Sequence, residues 1–199
     1  KKILINSFIS GLDAVKPENI IKNNLPDPPK GRTYVIGAGK AAASMAKAIE
    51  RNWPKNLPLD GSVITRYKHS LKTKKIKIYE SGHPMPDTAG MKAANNFISN
   101  IQKLDNNDLL LCLISGGGSS LMTVPQDGLN IKDLRDVTKD LLNCGAEISE
   151  INTVRKHLSK IHGGKVPIYT KAKIISLIIS DVTGNKITDI ASGPCCPDP

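Results

Sequence analysis

The feature that most constrains the fold is an apolar run over residues 109–114 that ends directly in a glycine-rich turn. The run reads Leu-Leu-Leu-Cys-Leu-Ile, and the turn after it is Ser115-Gly116-Gly117-Gly118-Ser119-Ser120. A continuous apolar run of this length is typical of a strand buried on both faces of a parallel sheet. Parallel strands need long crossover connections, which are usually helices. The run therefore predicts an α/β fold.

Extended and helical patterns alternate along the chain, as they do in βαβ units. Further strands are predicted at residues 33–36, 61–67, 75–80 and 174–179, the last as a second buried strand. Helices are predicted at residues 40–51, 88–102, 131–144 and 150–161, with Ser149 as the N-cap of the last. Residues 1–30 form a helical arm, in which Pro17 suits a first helical turn. We expect one Rossmann-like domain over residues 1–199, a parallel sheet with helices on both faces.

The positive charge of the chain does not indicate a nucleic-acid binder. The formal net charge is +10, but all of the excess lies in residues 1–100, and few of the basic residues are Arg. Aromatic residues, which stack on bases, make up 4% of the chain. The densest basic cluster partly alternates with isoleucines, as on the solvated edge of a strand. Its members are Lys72, Lys74, Lys75 and Lys77.

Targeting signals and cysteines indicate a cytoplasmic protein that does not enter a membrane. No stretch approaches the roughly 18 apolar residues of a membrane span, and residues 1–8 lack the pattern of a secretory signal. The chain does not begin with Met, so a removed leader stays open. The cysteines fit no zinc spacing, and we expect reduced thiols. They are Cys112, Cys144, Cys195 and Cys196.

The turn after the first strand carries a lysine where a helix begins. Its sequence, Gly37-Ala38-Gly39-Lys40-Ala41-Ala42, has the G-x-G-x-x-A form of a dinucleotide-binding turn. A dinucleotide site would need an acid at the end of the next strand, where the chain has Arg66, while Asp60 precedes that strand. A cation is unfavourable at a helix N-terminus. Lys40 is therefore predicted to face a ligand anion, with an exposed surface lysine as the alternative.

Two further segments carry polar residues to the same sheet edge, because ligands bind where parallel strands end. Three consecutive glycines, Gly116 to Gly118, predict an anion-binding nest to which Ser115, Ser119 and Ser120 add donors; a flexible linker is the alternative. Asp181 follows the strand at 174–179 and suits either Mg²⁺ or a substrate hydroxyl, or else caps a turn. Asn152 and Arg155 share a polar helix face that suits a carboxylate or phosphate, or simply solvent.

Seven short motifs in this order resemble the glycerate 2-kinase family, whose C-terminal part is called the MOFRL domain. They are Val35-Ile36-Gly37-Ala38-Gly39-Lys40-Ala41-Ala42, Gly82-His83-Pro84-Met85-Pro86-Asp87, Ile114-Ser115-Gly116-Gly117-Gly118-Ser119-Ser120, Asn152-Thr153-Val154-Arg155-Lys156-His157-Leu158-Ser159, Gly163-Gly164-Lys165, Ser180-Asp181-Val182-Thr183-Gly184-Asn185 and Ile190-Ala191-Ser192-Gly193-Pro194. His83, in the second motif, is interpreted as a structural loop residue.

The resemblance implies a Rossmann-like N-terminal domain of an enzyme that phosphorylates D-glycerate with ATP and Mg²⁺. By motif, Lys40 would neutralise charge on the transferring phosphoryl group, and Asp181 would orient Mg²⁺ or the attacking hydroxyl. Phosphate and the glycerate carboxylate would be bound by a third set of residues. This set comprises Gly37, Gly39, Ser115, Gly116, Gly117, Gly118, Ser119, Ser120, Asn152 and Arg155.

The sequence departs from the family in two respects. It has Asn185 where a second aspartate is common, and Cys195-Cys196 where Thr-Val is common. The family's full chain is about twice as long, so we expect this chain to hold half of an active site and to have little or no activity alone. A homodimer or a second polypeptide that completes the cleft stays open. The alternative functions are an NAD(P)-dependent hydroxypyruvate reductase and an inactive remnant or binding module.

Overall fold

Apolar residues in the central strands build a parallel sheet, as the sequence predicts. The computed structural model describes residues 1–198, so Pro199, the last residue of the predicted domain, lies outside the described part. The strands are β1 (Thr33–Ala38), β2 (Leu59–Arg66), β3 (Ile76–Ser81), β4 (Leu109–Ser115) and β5 (Lys173–Ile179). All neighbouring pairs are parallel, in the order β3-β2-β1-β4-β5. The predicted α/β class is confirmed.

Helices cover both faces of the sheet, which gives each central strand two buried sides. The helices are α1 (Lys2–Ala14), α2 (Pro17–Lys22), α3 (Ala42–Asn52), α4 (Thr88–Ile101), α5 (Gly118–Leu121), α6 (Ile131–Asn143) and α7 (Ile148–His157). Short 3₁₀ turns follow at Val166–Tyr169, Thr183–Asn185 and Ile190–Ser192. Helix α3 packs with Val35 and Leu111 on one face, and α4 packs with Ile36 and Cys112 on the other.

The strand order places a topological switch point between β1 and β4. The chain leaves β1 through α3 toward β2, and returns through α4 to β4 on the other side of β1. At such a point the turns after the two strands diverge and leave a crevice at the carboxyl edge of the sheet. The three polar turns of the sequence lie at this edge.

Strand β5 is an edge strand rather than the fully buried strand that its apolar sequence predicts. It pairs with β4 alone among the described residues, and its side chains are mostly half-buried, with Ile178 38% exposed. An apolar run shows that a strand is hydrophobic. It does not give the position of that strand in the sheet, because the position depends on which strands pair across long sequence distances. The prediction of a second strand buried on both faces is wrong.

The boundaries of two helices also differ from the prediction. Helix α7 begins after Glu147, which forms a reciprocal capping box with Glu150, so Ser149 is not the N-cap. The helix ends at His157 rather than at 161. Helix α3 begins at Ala42, so Lys40 lies in the turn before the helix.

The N-terminal arm and the lysine cluster both lie on the surface. The arm is helical, with Pro17 at the start of α2, but α1 has no buried residue and Phe8 is 67% exposed. The four clustered lysines are exposed at the sheet edge formed by β3, as predicted. No helix within residues 1–198 is long and apolar enough to cross a membrane.

Candidate functional site

A cavity of about 650 Å³ opens at the carboxyl edge of the sheet. Seven of the residues singled out from the sequence line it, and they come from four separate segments of the chain. They are Lys40, Gly117, Ser119, Ser120, Asn152, Arg155 and Asp181. The fold thus brings together residues that are up to 141 positions apart in sequence, from Lys40 to Asp181.

The remaining predicted residues of the glycine turns lie behind the cavity wall and hold the turns together. The backbone N–H of Lys40 donates to the carbonyl of Gly116 at 2.9 Å, and that of Ala41 donates to Ser115 Oγ at 3.1 Å. A Cβ on Gly39 would overlap the side chain of Ser115. These N–H groups bond to the β4 turn, where a dinucleotide-binding turn would direct them to a pyrophosphate.

Two further glycines allow close packing beneath the site. Gly37 lies inside β1, where a Cβ would overlap the carbonyl oxygen of Leu113 on β4. Gly118 begins α5, where a Cβ would lie 2.5 Å from the Cβ of Ala191. At Gly37, Gly39 and Gly118, the absence of a side chain therefore allows neighbouring segments of the chain to pack closely.

The middle of the triglycine turn lies against three polar side chains that line the cavity. A Cβ on Gly116 would overlap the carboxylate of Asp181. A Cβ on Gly117 would lie 2.8 Å from Nε2 of His83 and 3.3 Å from Cε of Lys40. Gly117 has φ +83°, a left-handed conformation that glycine adopts without steric cost. Only a glycine turn leaves room for these three side chains to meet.

Lys40 and Asp181 face each other across this turn without closing a tight ion pair. Lys40 Nζ lies 3.8 Å from Asp181 Oδ2, and the two side chains are 49% and 53% exposed. A pair so open to water contributes little to stability. Both charges are therefore available to a ligand in the cavity.

Helix α7 supplies a cation that has no acidic partner within residues 1–198. Arg155 is half-buried, and burial lowers the pKa of its guanidinium. No described carboxylate forms a salt bridge with it, whereas Arg32 and Arg51 pair with Asp108 and Glu18. Asn152, one turn earlier, is 8% exposed and lines the same wall. A half-buried guanidinium of this kind is suited to bind an anion, which would restore the interaction that burial removes.

The floor of the cavity is formed by α5 and a strained turn. Ser119 Oγ accepts a hydrogen bond from Ser192 Oγ at 2.8 Å, and Ser120 Oγ donates to the Gly117 carbonyl at 3.3 Å. Ala191 and Ser192 have φ +51° and +58°, which is unfavourable for residues with a Cβ. Such strain is often found at functional sites, where surrounding contacts hold it in place.

His83 is the main cavity residue that sequence reasoning leaves out of the site. The sequence favours a structural loop residue, yet His83 lines the cavity beside Lys40. Burial and the positive charges of Lys40, Arg66 and Arg155 lower the pKa of its imidazole, while Asp181 opposes them. The second motif, Gly82-His83-Pro84-Met85-Pro86-Asp87, is the signal available in the sequence. Its two prolines restrict the backbone of the loop that carries His83, so the histidine is held in place.

Asp87 fixes the loop that carries His83. Its carboxylate accepts hydrogen bonds from the N–H groups of Gly82 and Gly90 and from the hydroxyls of Tyr67 and Ser81. Burial by itself would raise the pKa of Asp87, but these bonds outweigh it and hold the pKa below its usual value. The same carboxylate is the N-cap of α4. The Asp87 side chain thus links the N-terminus of α4 to the loop that carries His83.

A small enclosed cavity of about 20 Å³ lies behind Arg155. It shares Ser119, Ser120 and Arg155 with the main cavity and reaches His162. His162 is 1% exposed, and neither ring nitrogen has a hydrogen-bond partner among the described residues. Burial, with the charges of Arg155 and Lys165 as smaller causes, lowers the pKa of His162 to about 3. The buried side of the cleft therefore contains a neutral imidazole.

The cavity fits a metal ion only in the company of a ligand. No group of three or more His, Cys, Asp or Glu side chains within residues 1–198 could hold an ion. Asp181 offers one exposed carboxylate. Asp189 lines the same cavity, and its Oδ2 lies 3.9 Å from Nζ of Lys186. Mg²⁺ in nucleotide sites is held by one or two carboxylates together with phosphates and water. The donor set fits such a site and not an all-protein cage.

Comparison with known proteins gives a family and named relatives. The family model described as "Domain of unknown function (DUF4147)" matches residues 3–199. The chain is 46% identical over 170 residues to a Pyrococcus horikoshii protein named glycerate 2-kinase, covering 85% of this chain and 38% of that protein. It is 45% identical over 200 aligned positions to an Agrobacterium vitis protein named putative hydroxypyruvate reductase, covering 100% of this chain and 45% of that protein.

A solved structure extends the similarity to the whole fold. The crystal structure of glycerate kinase from Thermotoga maritima superposes with a TM-score of 0.91 at 40% identity, over 99% of this chain and 48% of that one. The chain therefore spans less than half the length of these relatives. The kinase names of the Pyrococcus horikoshii and Thermotoga maritima proteins agree with the resemblance that the sequence motifs indicate.

Proposed function

The chain belongs to the DUF4147 family, and we propose that it forms the N-terminal domain of a glycerate 2-kinase, which transfers the γ-phosphoryl group of ATP to D-glycerate. The names of the relatives and of the similar crystal structure support this activity. The whole of residues 1–199 is one Rossmann-like domain in this proposal. A second domain, on the same or another polypeptide, supplies the opposite wall of the cleft.

The observation that carries the proposal is the guanidinium of Arg155, without an acidic partner among the described residues, in the same cavity as Lys40 and Asp181. Glycerate has one carboxylate and two hydroxyls, so a site for it needs an anion-binding group at some distance from the reacting charges. Arg155 with Asn152 binds the carboxylate, since a guanidinium matches it through two parallel hydrogen bonds. The hydroxyl at carbon 2 then points toward Lys40 and Asp181.

The phosphoryl group lies over the glycine turn. In phosphoryl transfer the enzyme mainly positions the reactants and stabilises charge on the transferring oxygens. The ammonium of Lys40 neutralises that charge, and Gly117, Ser119 and Ser120 offer backbone and hydroxyl donors on the cavity wall. The substrate oxygen forms its bond to the γ-phosphorus as the bond to the ADP oxygen breaks. Asp181 orients the attacking hydroxyl and receives its proton.

Asp181 is also the residue that would hold the Mg²⁺ that accompanies ATP, which supplies further positive charge to the phosphates. Lys40 and Asp181 then act as an opposed pair. Lys40 stabilises the charge on the transferring phosphoryl group. The carboxylate beside it places the nucleophile, which is the contribution that raises the rate.

A binding experiment tests the proposal even if one domain has no turnover. Titration of the ¹⁵N-labelled chain with D-glycerate is expected to shift the amide resonances of residues 117–120 and 152–155. Arg155→Gln should weaken binding about 10- to 100-fold, as expected for a charge-assisted contact. Arg135→Gln removes an exposed arginine on α6 and should leave binding unchanged. Equal binding by both variants would place the carboxylate elsewhere.

Turnover provides the second test. ADP formation from Mg-ATP and D-glycerate is measured on the chain and on Lys40→Ala. We expect little or no turnover by the chain alone, and Lys40-dependent turnover once the remaining half of a full-length relative is added. Turnover by the mixture that is independent of Lys40 contradicts the assigned role. Turnover by this chain alone that depends on Lys40 contradicts the inactive-remnant alternative and the need for a second domain.

The reductase name borne by two Agrobacterium vitis relatives motivates a second candidate function. It is not favoured by the geometry, because β2 ends in Arg66 and Asp60 lies near the opposite end, level with Tyr34 of β1. A ribose-binding acid would be needed where Arg66 stands. Quenching of NADH fluorescence distinguishes the two functions: micromolar binding of NADH without binding of ATP favours the reductase.

A further inference from the structure

Two thiols meet on the face of the sheet that α4 covers, outside the proposed active site. Cys112 lies in the middle of β4, fully buried, and its register partner on β5 is Ser176. Cys195 is partly buried and packs against the same apolar cluster. Ser176 and Cys195 line the same cavity, so the register partner of Cys112 lies beside Cys195, and each of the two thiols shifts the pKa of the other. The fold brings together cysteines 83 positions apart.

A reagent can reach Cys195 through a separate cavity. The cavity has a volume of about 250 Å³ and is lined by Cys195, Cys196, Ser176 and apolar side chains of β4, β5 and the C-terminal segment. It shares no lining residue with the main cavity at the glycine turns. A small oxidant that enters here meets Cys195 and Cys196 before Cys112, because Cys112 is fully buried and does not line the cavity.

We propose that Cys112 and Cys195 form a reversible disulfide when the protein meets hydrogen peroxide. The Cys195 thiolate attacks one oxygen of the peroxide, the O–O bond breaks, and Cys195 becomes a sulfenic acid as the other oxygen leaves as water after protonation. The Cys112 sulfur then attacks the sulfenic sulfur, the S–O bond breaks, and a second water is released. Two thiols are oxidised and one peroxide is reduced to two waters.

The environment of the two sulfurs supports this order of events. The hydrogen bond from Cys112 lowers the pKa of the Cys195 thiol despite its burial, and the same bond together with burial raises the pKa of Cys112. The thiolate is the form that reacts with peroxide. Cys195 is therefore the attacked thiol and Cys112 the resolving one.

The other two cysteines each donate to a backbone carbonyl. Cys196 lines the same cavity as Cys195, and its Sγ donates to the carbonyl of Ile187 at 3.3 Å. Burial raises the pKa of the Cys196 thiol, so it is less reactive toward peroxide than Cys195. A disulfide between neighbours in sequence would also be strained. Cys144 is exposed on the surface after α6 and donates to the carbonyl of Leu141. These two serve as internal controls.

A disulfide at this position would join the C-terminal segment to the central sheet. The segment before Cys195 contains the strained turn Ile190–Ser192, whose Ala191 lines the main cavity. Residues 193–194 also bond to the loop after α7, through Gly164 N–H to Gly193 and Val166 N–H to Pro194. Oxidation is thus expected to slow opening of the segment that borders the cleft.

The test uses the folded chain and a variant that retains only the pair, Cys144→Ser with Cys196→Ser. The folded protein is treated briefly with hydrogen peroxide and then unfolded in denaturant with the alkylating reagent; both remaining thiols should be inert to alkylation there, and the mass should fall by two hydrogen atoms. A peptide containing Cys112 should be linked to one containing Cys195, and dithiothreitol should restore both thiols. In Cys195→Ser, checked for folding by circular dichroism, Cys112 should stay alkylatable after peroxide.

Three outcomes would overturn the proposal. They are a Cys195–Cys196 bond in the parent chain, a sulfinic acid on Cys195 beside a free Cys112, and pairing that is equally frequent in denaturing guanidinium chloride. Amide hydrogen exchange supplies an independent readout. Protection of residues 190–198 should rise on oxidation and return on reduction, and unchanged protection would contradict the restraint of this segment.

Discussion

The two sides of the cleft position their charged groups by different means. On the central side, the turns after β1 and β4 are bonded to each other, through Lys40 N–H to Gly116 and Ala41 N–H to Ser115. On the outer side, Asp181 follows the edge strand β5, and Val182 N–H bonds to the nearby side chain of Ser180. The central turns are held by long-range backbone contacts, whereas the outer turn is held by local ones.

Because of this difference, the central turns contribute mainly to folding and the outer turn contributes mainly to ligand binding. Gly37 on the central side is required because the backbone of β4 occupies the place of a side chain. On the outer side, a Cβ added to Gly184 would meet no atom within 4 Å, and the position is special only in its positive φ of +80°. Substitutions on the central side should therefore affect folding, and those on the outer side should affect ligand binding.

The largest expected effect is that of Gly37→Ala. The added Cβ would overlap the carbonyl oxygen of Leu113 and lie 2.9 Å from its Cβ, and backbone in the middle of a sheet cannot yield easily. We expect the free energy of unfolding to fall by about 3 kcal/mol, at the upper end of overpacking effects. Urea denaturation followed by circular dichroism measures it.

Gly184→Ala is the matched control for this substitution. It should cost only about 1 kcal/mol, since the left-handed conformation of residue 184 is unfavourable for alanine but no atom is displaced. If the two alanine variants lose equal stability, the contrast between a packed and an open side of the cleft is wrong.

Gly116→Ala separates folding from binding on the central side itself. Here the added Cβ would meet the carboxylate end of Asp181, a flexible and half-exposed side chain that can move away. We expect the stability to change by less than about 1 kcal/mol, while affinity for Mg-ATP falls about tenfold, which corresponds to about 1.4 kcal/mol. Calorimetric titration with Mg-ATP, beside urea denaturation, measures both. A large loss of stability would mean that Asp181 is fixed in place.

The buried side of the cleft also predicts a pH dependence of stability. His162 has a pKa of about 3 in the folded chain, against about 6.5 when unfolded. Below pH 6.5 the unfolded chain binds a proton that the folded chain does not, so this contribution to stability is complete above pH 6.5 and is lost progressively toward pH 3. The expected slope is roughly 1 kcal/mol per pH unit.

Urea denaturation at pH values from 7 down to 4 checks this slope on the parent chain and on His162→Gln. The variant starts from a lower stability, because it replaces a packed ring, but it should lack the part of the slope that His162 contributes. Parallel pH profiles of parent and variant would mean that a partner inside the fold stabilises the protonated ring.

The same contrast explains what the sequence could predict. The parallel sheet and the meeting of the turns at its carboxyl edge were predictable, because residues 109–114 and the glycines after them leave few alternatives. The edge position of β5 and the N-cap at Glu147 were not, because strand order and cap geometry depend on contacts that the local pattern does not encode. The position of His83 in the cavity depends on the bonds of Asp87 to four groups.

Asp181→Asn has the smallest expected effect on stability and gives the sharpest test of the outer side. The carboxylate lies 3.8 Å from Lys40 Nζ and is about half exposed, so its loss should change the free energy of unfolding by less than about 0.5 kcal/mol. Asp136→Asn is the matched control, since that carboxylate also pairs with a lysine, at 2.7 Å from Lys132, and is 56% exposed on α6. Both variants should unfold nearly as the parent does.

Only Asp181→Asn should abolish the increase in ATP affinity that Mg²⁺ produces relative to EDTA, because Asp181 is the carboxylate that accompanies the phosphates. If Mg²⁺ still strengthens ATP binding to this variant, the ion is held by other groups, and the role of the outer turn is confined to orienting the hydroxyl.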